Sequence, residues 1–299
     1  MRIGLIRNPQ SRANLARRRP APRLPTAEPS DLAQLRRSLA DFRADGAQVI
    51  AVDGGDGTVR EVVTALVALD WRPRLVILPS GKVNLIARDV GFARPRADHL
   101  ARLAGGQVQV RRRRLLRLDH AGGATFGMLL GGAGFRLAWE MANRHLHPHG
   151  LVSRAAVATA LMTSLARAST GGRFAAGEPM RLRLDHGEAV AGNRLLLLAT
   201  TLDRLMLGLW PFWDDGGGKA GLRLLDVAAP PRRLWAALPS LVRGRPRPWM
   251  EAAGYRSAHA QRVEIDPSGP VILDGEPFFA GTDGRLILSL GPEMEFLQP

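Results

Sequence analysis

The sequence contains no cysteine, which excludes disulfide bonds, thiolate metal sites and a cysteine nucleophile. It also lacks any run of about 18 uninterrupted apolar residues, the length that a transmembrane helix needs. The first residues, with Ile3, Leu5 and Ile6, have the pattern of a β-strand and not of a secretory signal. These absences predict a soluble cytoplasmic protein. Its hydrophobic fraction of 45% is enough for a sizeable core.

Lysine is scarce as well. Lys82 and Lys219 are the only lysines among 42 basic residues, so arginine supplies nearly all of the net charge of +15. A charge of this size suggests an anionic partner, and nucleic acid, a membrane surface and a phosphate-bearing substrate all fit. A generally basic surface that reflects coding composition is the alternative, and charge alone does not choose between them.

The first third of the chain alternates short apolar runs with helical patterns. Strands are predicted at Ile3–Ile6, Val49–Val52 and Leu75–Leu78. A short helix is predicted over Val83–Val90. Apolar residues mark one face of two longer helices: Leu32, Leu35, Leu39 and Phe42 in the first, which stops at Gly46, and Val59, Val62, Val63 and Leu66 in the second. This rhythm predicts a parallel sheet covered on both faces, with ligands at the carboxyl ends of its strands.

The pattern changes after Arg111–Arg114. Eight short strand candidates follow: Leu115–Leu118, Thr125–Leu130, Met180–Leu184, Leu195–Ala199, Leu222–Val227, Arg262–Ile265, Val271–Leu273 and Leu286–Leu290. Asp185–Gly187 is typical of a hairpin turn, and Ser153–Ala168 is one helical stretch among the strands. The second part is therefore predicted to be mainly antiparallel, in the form of a β-sandwich.

The strongest local signal is the loop Asp53-Gly54-Gly55-Asp56-Gly57-Thr58, directly after a predicted strand. Glycines let a backbone approach phosphate oxygens closely, and a helix from Val59 would offer free N–H groups to an anion. Thr58 and Glu61 have the spacing of a capping box, which indicates a helix start there. Asp56 would repel phosphate unless Mg²⁺ or an ordered water lies between them. An ordinary Gly/Asp turn is the alternative.

Four motifs in this order resemble the diacylglycerol kinase catalytic family, in particular its bacterial lipid kinase branch, which is related to the sphingosine and ceramide kinases. Asn8–Ser11 is similar to the family's Asn-Pro-x-Ser loop, and Gly54–Glu61 to its Gly-Gly-Asp-Gly-Thr-x-x-Glu signature. Pro79–Arg88 resembles Pro-x-Gly-Thr-x-Asn-x-x-Ala-Arg, and Asp274–Glu276 its late Asp-Gly-Glu. The resemblance extends over nearly the whole chain.

The resemblance implies an α/β nucleotide-binding domain with a parallel sheet, like that of phosphofructokinases and NAD kinases, over residues 1–114. A segment of about 288–299 would return to it, and a mainly antiparallel β-sandwich domain for the lipid substrate would span 115–287. The implied reaction transfers the γ-phosphoryl group of ATP to a lipid hydroxyl with Mg²⁺ present. The expected substrate is diacylglycerol, with phosphatidic acid as the product.

The resemblance also assigns residues. Glu276 takes the position of the general base, Asp274 orients the site or serves a metal, and Asp56 acts on Mg²⁺ only indirectly. The predicted nucleotide-binding residues are Asn8, Pro9, Ser11, Thr26, Gly54, Gly55, Asp56, Gly57, Thr58, Glu61, Ser80, Gly81, Lys82 and Asn84.

Two positions depart from the family pattern. Lys82 stands where threonine is usual, and we expect it to reach the β- or γ-phosphate. Lys219–Asp226 stands where the family has an acidic Asp-Asp-Gly-x-Leu-Asp segment that helps to hold a structural Mg²⁺. Asp214 and Asp215 lie nearby but out of register. We therefore expect this metal site to be lost, or replaced by the charge of Lys219.

Two aromatic segments each have two interpretations. Trp210, Phe212 and Trp213 surround Pro211 and fit either a membrane interface or the core. Leu234–Val242, with arginines around it, fits either a basic amphipathic surface or a helix packed on the sandwich.

Three rival functions remain at this stage. An NAD kinase-like or sphingoid-base kinase would share the glycine/aspartate loop. A non-catalytic, membrane-associated nucleotide or lipid sensor would account for the two departures. A nucleic-acid binder is motivated only by charge and is not expected, because the sequence shows no aromatic-basic platform for bases. We expect peripheral association with an anionic membrane surface, and a homodimer stays open.

Overall fold

The computed structural model describes residues 2–17, 24–90, 108–141, 171–205 and 208–298. The chain divides into two compact units, Met1–Leu115 with Pro292–Pro299, and Leu116–Gly291. The predicted helix Ser153–Ala168 lies outside the described residues. None of the helices in the described part of the chain has the length and apolar character that crossing a bilayer requires.

A parallel sheet forms the centre of the first unit. Its strands are β1 (Ile3–Arg7), β2 (Thr26–Ala27), β3 (Val49–Gly54) and β4 (Arg74–Pro79). β1 pairs with β2 and β3, and β3 pairs with β4, all in parallel. Near its end, the last strand of the chain places Phe296 beside Leu75 of β4, also in parallel. The three strands predicted here are confirmed, each one or two residues longer than its apolar run.

Three helices connect these strands, α1 (Arg12–Arg17), α2 (Leu32–Ala44) and α3 (Asp56–Ala68), and α4 (Leu85–Asp89) follows β4. Asp31 begins α2, because its Oδ1 accepts the backbone N–H of Gln34 at 2.8 Å. The apolar faces predicted for α2 and α3 are buried, which confirms the helical period. Leu32 is the exception, since it is 51% exposed at the first turn of α2.

Antiparallel strands dominate the second unit, which confirms that part of the prediction. They are β5 (Gln109–His120), β6 (Gly123–Gly127), β7 (Leu129–Ala133), β8 (Glu178–Leu184), β9 (Val190–Thr200), β10 (Leu222–Ala228), β11 (Tyr255–Ala260), β12 (Arg262–Pro267), β13 (Val271–Leu273), β14 (Glu276–Phe278) and β15 (Leu286–Gln298). β5 begins in the first unit and β15 ends there. The helices are α5 (Gly134–Met141), α6 (Gly172–Ala176) and α7 (Leu234–Arg243), with a 3₁₀ turn at Gly216–Gly218.

The hairpin turn predicted at Asp185–Gly187 is confirmed. It joins β8 to β9, and Gly187 N–H donates to the carbonyl of Leu184 at 2.9 Å. The single strand predicted over Thr125–Leu130 is wrong. The strand is interrupted at Met128, so that this segment belongs to two strands, β6 and β7. The prediction also missed β2, β11 and β14.

Two apolar clusters lie among the described residues of the second unit. The larger one gathers side chains from β5, β7 to β13 and the first part of β15. The smaller one lies beneath α7 and contains Phe212, Leu225, Val227 and Tyr255. Leu222 and Leu224 of β10 belong to the larger cluster, whereas Leu225 and Val227 belong to the smaller one. β10 therefore buries both of its faces, as strand periodicity allows.

Candidate active site

Three loops meet at the carboxyl ends of β1, β3 and β4. They are Asn8–Ser11, Gly54–Thr58 and Ser80–Asn84, and they are adjacent because the three strands are parallel neighbours. Asn8 N–H donates to the carbonyl of Asp53 at 2.9 Å, and Ser80 N–H to the carbonyl of Gly54 at 3.1 Å. The structure thus brings the first three sequence motifs to one edge of one sheet.

The side chain of Asn8 links the first loop to the second. Its Nδ2 donates to Thr58 Oγ1 at 3.0 Å, and its Oδ1 accepts the backbone N–H of Gln10 at 2.9 Å. The Asn8 carbonyl also accepts a hydrogen bond from Asn14 Nδ2 at 2.9 Å. Asn8 therefore fixes the position of Thr58, which lies in the first turn of α3.

Glycines make the contact between the second and third loops possible. A Cβ on Gly81 would overlap the Cα of Gly55, and a Cβ on Gly54 would lie 2.5 Å from the Cβ of Thr58. Gly57 differs, because the nearest atom to a Cβ there would be Arg60 Nη1 at 4.0 Å. Packing within the described chain therefore requires glycine at positions 54 and 81 but not at 57.

The capping box predicted for Thr58 and Glu61 is wrong. α3 begins at Asp56 with Gly55 as its N-cap residue, and no side chain caps it. Glu61 is instead exposed and lies 3.5 Å from Arg60 Nη2. The first helical hydrogen bond runs from Val59 N–H to the carbonyl of Gly55 at 3.0 Å. Because the first turn of a helix leaves its N–H groups without intrahelical acceptors, the Gly55–Thr58 segment offers donors to an anion.

Asp56 has a structural role that the sequence did not indicate. Its Oδ2 accepts the backbone N–H of Leu85 at 3.0 Å, and its Oδ1 accepts that of Ile86 at 2.9 Å. The carboxylate thereby caps α4 from a different segment of the chain, in place of the residue before the helix, Asn84, which has φ +54°. Burial raises the pKa of Asp56, and the backbone hydrogen bonds oppose that shift.

Asn84 closes the third loop on itself. Its Oδ1 accepts Gly81 N–H at 2.9 Å, and its Nδ2 donates to the Gly81 carbonyl at 3.0 Å. The amide group thus fixes the turn that carries Lys82, whose side chain is exposed.

A polar network beneath the loops contains two residues that were not among the predicted ligands, Asp53 and Arg7. Ser80 Oγ donates to Asp53 Oδ1, and Arg7 Nε lies 3.6 Å from Asp53 Oδ2. Arg7 also contacts Glu28 Oε1 at 3.2 Å through Nη1. Their position in the sequence could have identified them, since Arg7 and Asp53 both stand at the ends of apolar strand runs.

Three further residues that were predicted to bind the nucleotide differ from one another in their surroundings. Pro9 is exposed in the first loop, whereas Ser11 is 8% exposed and its Oγ has no hydrogen-bond partner among the described residues. Thr26 lies in β2 opposite Leu5, and its hydroxyl donates to the carbonyl of Leu24 at 2.7 Å. Of the three, Ser11 has the buried hydroxyl that a ligand could satisfy.

The fourth motif lies in the second unit, between β13 and β14. Asp274 has φ +46°, and its Oδ2 and Oδ1 accept the backbone N–H groups of Met128 and Leu129, both at 2.9 Å. The carboxylate therefore holds the break between β6 and β7. Glu276 is exposed at the start of β14, opposite Leu273.

No group of three or more histidine, aspartate and glutamate side chains gathers within the described residues. Asp214 and Asp215 instead accept the N–H groups of Gly216 and Gly217 at 2.9 and 3.0 Å, and Asp226 pairs with Arg194 at 2.7 Å. These three carboxylates are thus engaged by hydrogen bonds within their own turn or by an ion pair.

Proteins of similar sequence show which family the chain belongs to. The family model described as the diacylglycerol kinase catalytic domain matches residues 5–112. A protein of Pseudomonas aeruginosa named probable lipid kinase YegS-like is 30% identical over 255 residues, covering 81% of this chain and 74% of its own. The chain belongs to the diacylglycerol kinase catalytic family. The resemblance predicted from the four motifs is confirmed.

Two further comparisons bear on this lipid kinase family member. A diacylglycerol kinase of Bacillus subtilis is 48% identical, but only over 52 residues, which are 17% of this chain and 16% of that one. A crystal structure of a diacylglycerol kinase from Bacillus anthracis has a TM-score of 0.62 at 17% identity and covers 100% of this chain and 97% of its own. The local match supports the family, and the structural match shows a shared fold.

Proposed function

We propose that this protein transfers the γ-phosphoryl group of ATP to the hydroxyl of a lipid, with diacylglycerol as substrate and phosphatidic acid as product. One observation carries the proposal. Three loops with the family's motifs meet at the carboxyl ends of β1, β3 and β4. Beside Gly57, a Cβ would meet no described atom closer than 4.0 Å, so there is room for a ligand atom to approach this residue. Parallel sheets bind ligands at this edge.

The phosphates of ATP would lie against the first turn of α3. The backbone N–H groups of Gly55–Thr58 would donate to phosphate oxygens, and Gly57 would let those oxygens approach. Asn8 would position Thr58, and Lys82 would add a positive charge. The remaining predicted ligands, Pro9, Ser11, Thr26, Gly54, Asp56, Glu61, Ser80, Gly81 and Asn84, would shape or line the same loops. Mg²⁺ accompanying ATP would neutralise part of the phosphate charge, and an indirect role of Asp56 there stays a prediction.

Glu276 would act as the general base in the transfer. As the lipid oxygen bonds to the γ-phosphorus, the bond from that phosphorus to the ADP oxygen breaks, and the hydroxyl proton moves to the Glu276 carboxylate. Glu276 is exposed, so its carboxylate is accessible to a substrate. Asp274 would fix the turn that presents Glu276, because its carboxylate is held by two backbone N–H groups.

The domain roles follow from the same proposal. We assign nucleotide binding to residues 1–114 with about 288–299, and lipid binding to 115–287, as a mainly antiparallel β-sandwich. The protein would act from the cytoplasm as a peripheral membrane protein. Its lipid substrate supplies the reason for that location.

The test is transfer of radiolabelled phosphate from [γ-³²P]ATP, with Mg²⁺, into a panel of lipids presented in detergent micelles. Diacylglycerol, monoacylglycerol, sphingosine and ceramide are compared with a no-lipid control. The proposal predicts labelled phosphatidic acid as the main product. Label in sphingosine alone would change the substrate class, and ATP binding without label in any lipid would contradict the kinase function.

A further inference from the structure

The helix α7 carries an apolar exposed face as well as a buried one. Leu234, Ala237 and Ser240 are buried against the smaller apolar cluster. Trp235, Pro239 and Val242 are exposed, and their spacing of four and three residues places them on one side of the helix. Trp235 is 51% exposed and Val242 is 40% exposed. The sequence of this segment fits both a packed helix and a basic amphipathic surface, and packing accounts for only one face of the helix.

The surface around α7 is strongly basic. Arg232, Arg233, Arg243, Arg245 and Arg247 are all exposed, and the sequence contains no aspartate or glutamate between Asp226 and Glu251. None of the five arginines forms an ion pair with another described residue. Their positive charge is therefore not neutralised within this part of the chain.

Both ends of α7 are fixed in place. At the start, Tyr255 Oη donates to the carbonyl of Arg232 at 2.8 Å. At the end, Trp210 N–H donates to the carbonyl of Val242 at 2.9 Å, and Gly244 ends the helix with φ +60°. A Cβ on Gly244 would lie 2.5 Å from the Phe212 carbonyl oxygen. Both ends of the exposed face are therefore anchored by contacts within the second unit.

The burial of Phe212 indicates the role of the second aromatic segment, which contains Trp210, Phe212 and Trp213. Phe212 is 3% exposed within the smaller cluster, and Trp210 and Trp213 pack against that cluster. This segment supports α7 from below, so core packing is the interpretation that the structure favours for it.

We propose that the α7 face, defined as Trp235, Pro239 and Val242 with the five flanking arginines, docks on an anionic membrane. Tryptophan is favoured at the boundary between headgroups and acyl chains, and arginine attracts anionic headgroups. A helix with an apolar centre and basic residues at both ends lies in the plane of such an interface. Each arginine beside an anionic surface strengthens binding about fivefold. The proposal deepens the proposed function, because a lipid kinase must reach its substrate in a bilayer.

The primary test is flotation of the full-length protein with lipid vesicles, without ATP. Vesicles of phosphatidylcholine alone are compared with vesicles that also contain phosphatidylglycerol. We expect flotation only with phosphatidylglycerol, weakened by added salt because screening reduces surface attraction. Arg243→Gln with Arg245→Gln should weaken binding about 25-fold, from about fivefold per residue. Trp235→Ala should also reduce flotation.

Matched variants separate the α7 face from general charge. Arg36→Gln with Arg37→Gln removes the same charge from exposed positions on α2, and Leu32→Ala truncates an apolar side chain that is also 51% exposed. We expect both controls to float like the wild type. Equal losses in the α7 variants and the controls, or no flotation of the wild type with phosphatidylglycerol, would overturn the proposal. Circular dichroism and Tm establish that each variant is folded.

Two further measurements assign the partner and separate this proposal from the kinase function. Binding to a DNA duplex that the Arg243 and Arg245 variant abolishes, with vesicle binding intact, would assign the face to nucleic acid and overturn membrane docking. Phosphorylation of dioctanoylglycerol in detergent micelles should be unchanged in the α7 variants. Flotation that responds to these variants in a protein without kinase activity would support the docking surface and contradict the proposed function alone.

Discussion

Gly55 and Gly81 face each other so closely that a Cβ at either position would press against the backbone of the other. A Cβ on Gly55 would lie 3.1 Å from the Cα of Gly81, and a Cβ on Gly81 would overlap the Cα of Gly55. The two residues belong to different loops, which follow β3 and β4. Their contact sets the distance between those loops, and with it the shape of the candidate phosphate site.

Gly81→Ala should destabilise the protein and disturb the site. The obstructing atom is backbone, so no side chain can move away to relieve the overlap. Overpacking of this kind typically costs about 1–3 kcal/mol. Urea unfolding of the variant should show a loss of that order, together with weaker ATP binding.

Gly57→Ala is the matched control, because the nearest described atom to its Cβ is 4.0 Å away. In a helix this change usually stabilises by about 0.5–1 kcal/mol. We expect stability to be kept or raised while ATP binding weakens. Unchanged ATP binding, measured by calorimetry, would show that phosphate does not approach Gly57.

Lys82→Ala should weaken ATP binding by about 1.5–3 kcal/mol, the usual contribution of a hydrogen bond to a charged group. Lys82 is exposed in the turn that Asn84 closes, so the change should leave stability nearly unaltered. Lys82→Thr should restore much of the affinity through its hydroxyl. If Lys82→Ala binds ATP like the wild type, the lysine is surface charge and has no role in the site.

Tyr255 gives a prediction for alkaline pH. Burial raises the pKa of Tyr255 to about 12 from an ordinary value of 10.0. Because the folded state holds the phenol proton more tightly, the contribution of this group is complete below pH 10 and is lost as the pH rises through about 12. Tyr255 is the only tyrosine, so ultraviolet absorbance follows it directly. Ionisation of the folded protein near pH 10 would contradict the buried position.

Mg²⁺ alone should hardly change the melting temperature. The described residues gather no acidic cluster, and Asp214 and Asp215 each accept a hydrogen bond within their own turn. Thermal unfolding is measured with and without Mg²⁺ in the absence of nucleotide. A large stabilisation that Asp214→Asn or Asp215→Asn removes would show that this segment does hold the metal.

The sequence predicted those elements whose signal is local. β1, β3 and β4 are short apolar runs, and α2 and α3 bury side chains at the helical period. The missed strands lack such a signal. β11 alternates mostly small and polar residues after Tyr255, β14 has three residues with a proline in the middle, and β2 has only two residues.

The roles of Asp56 and Asp274 could not be predicted, because their hydrogen-bond partners are remote in sequence. Asp56 holds the N–H groups of Leu85 and Ile86, and Asp274 holds those of Met128 and Leu129. Motif resemblance marked both aspartates as candidate site residues, and that assignment stays a prediction. The structure adds that each carboxylate organises a neighbouring segment of backbone.

The most direct test of the central claim is the rate of phosphate transfer from ATP to diacylglycerol by three proteins: the wild type, Glu276→Gln and Glu188→Gln. Both glutamates are exposed in the second unit, so Glu188 controls for the loss of one charge. Loss of a general base typically lowers a rate by about 10²–10⁴. We predict a loss of that order for Glu276→Gln with unchanged ATP affinity, and wild-type turnover for Glu188→Gln. Turnover of Glu276→Gln near that of the wild type, or no transfer by the wild type itself, would contradict the account.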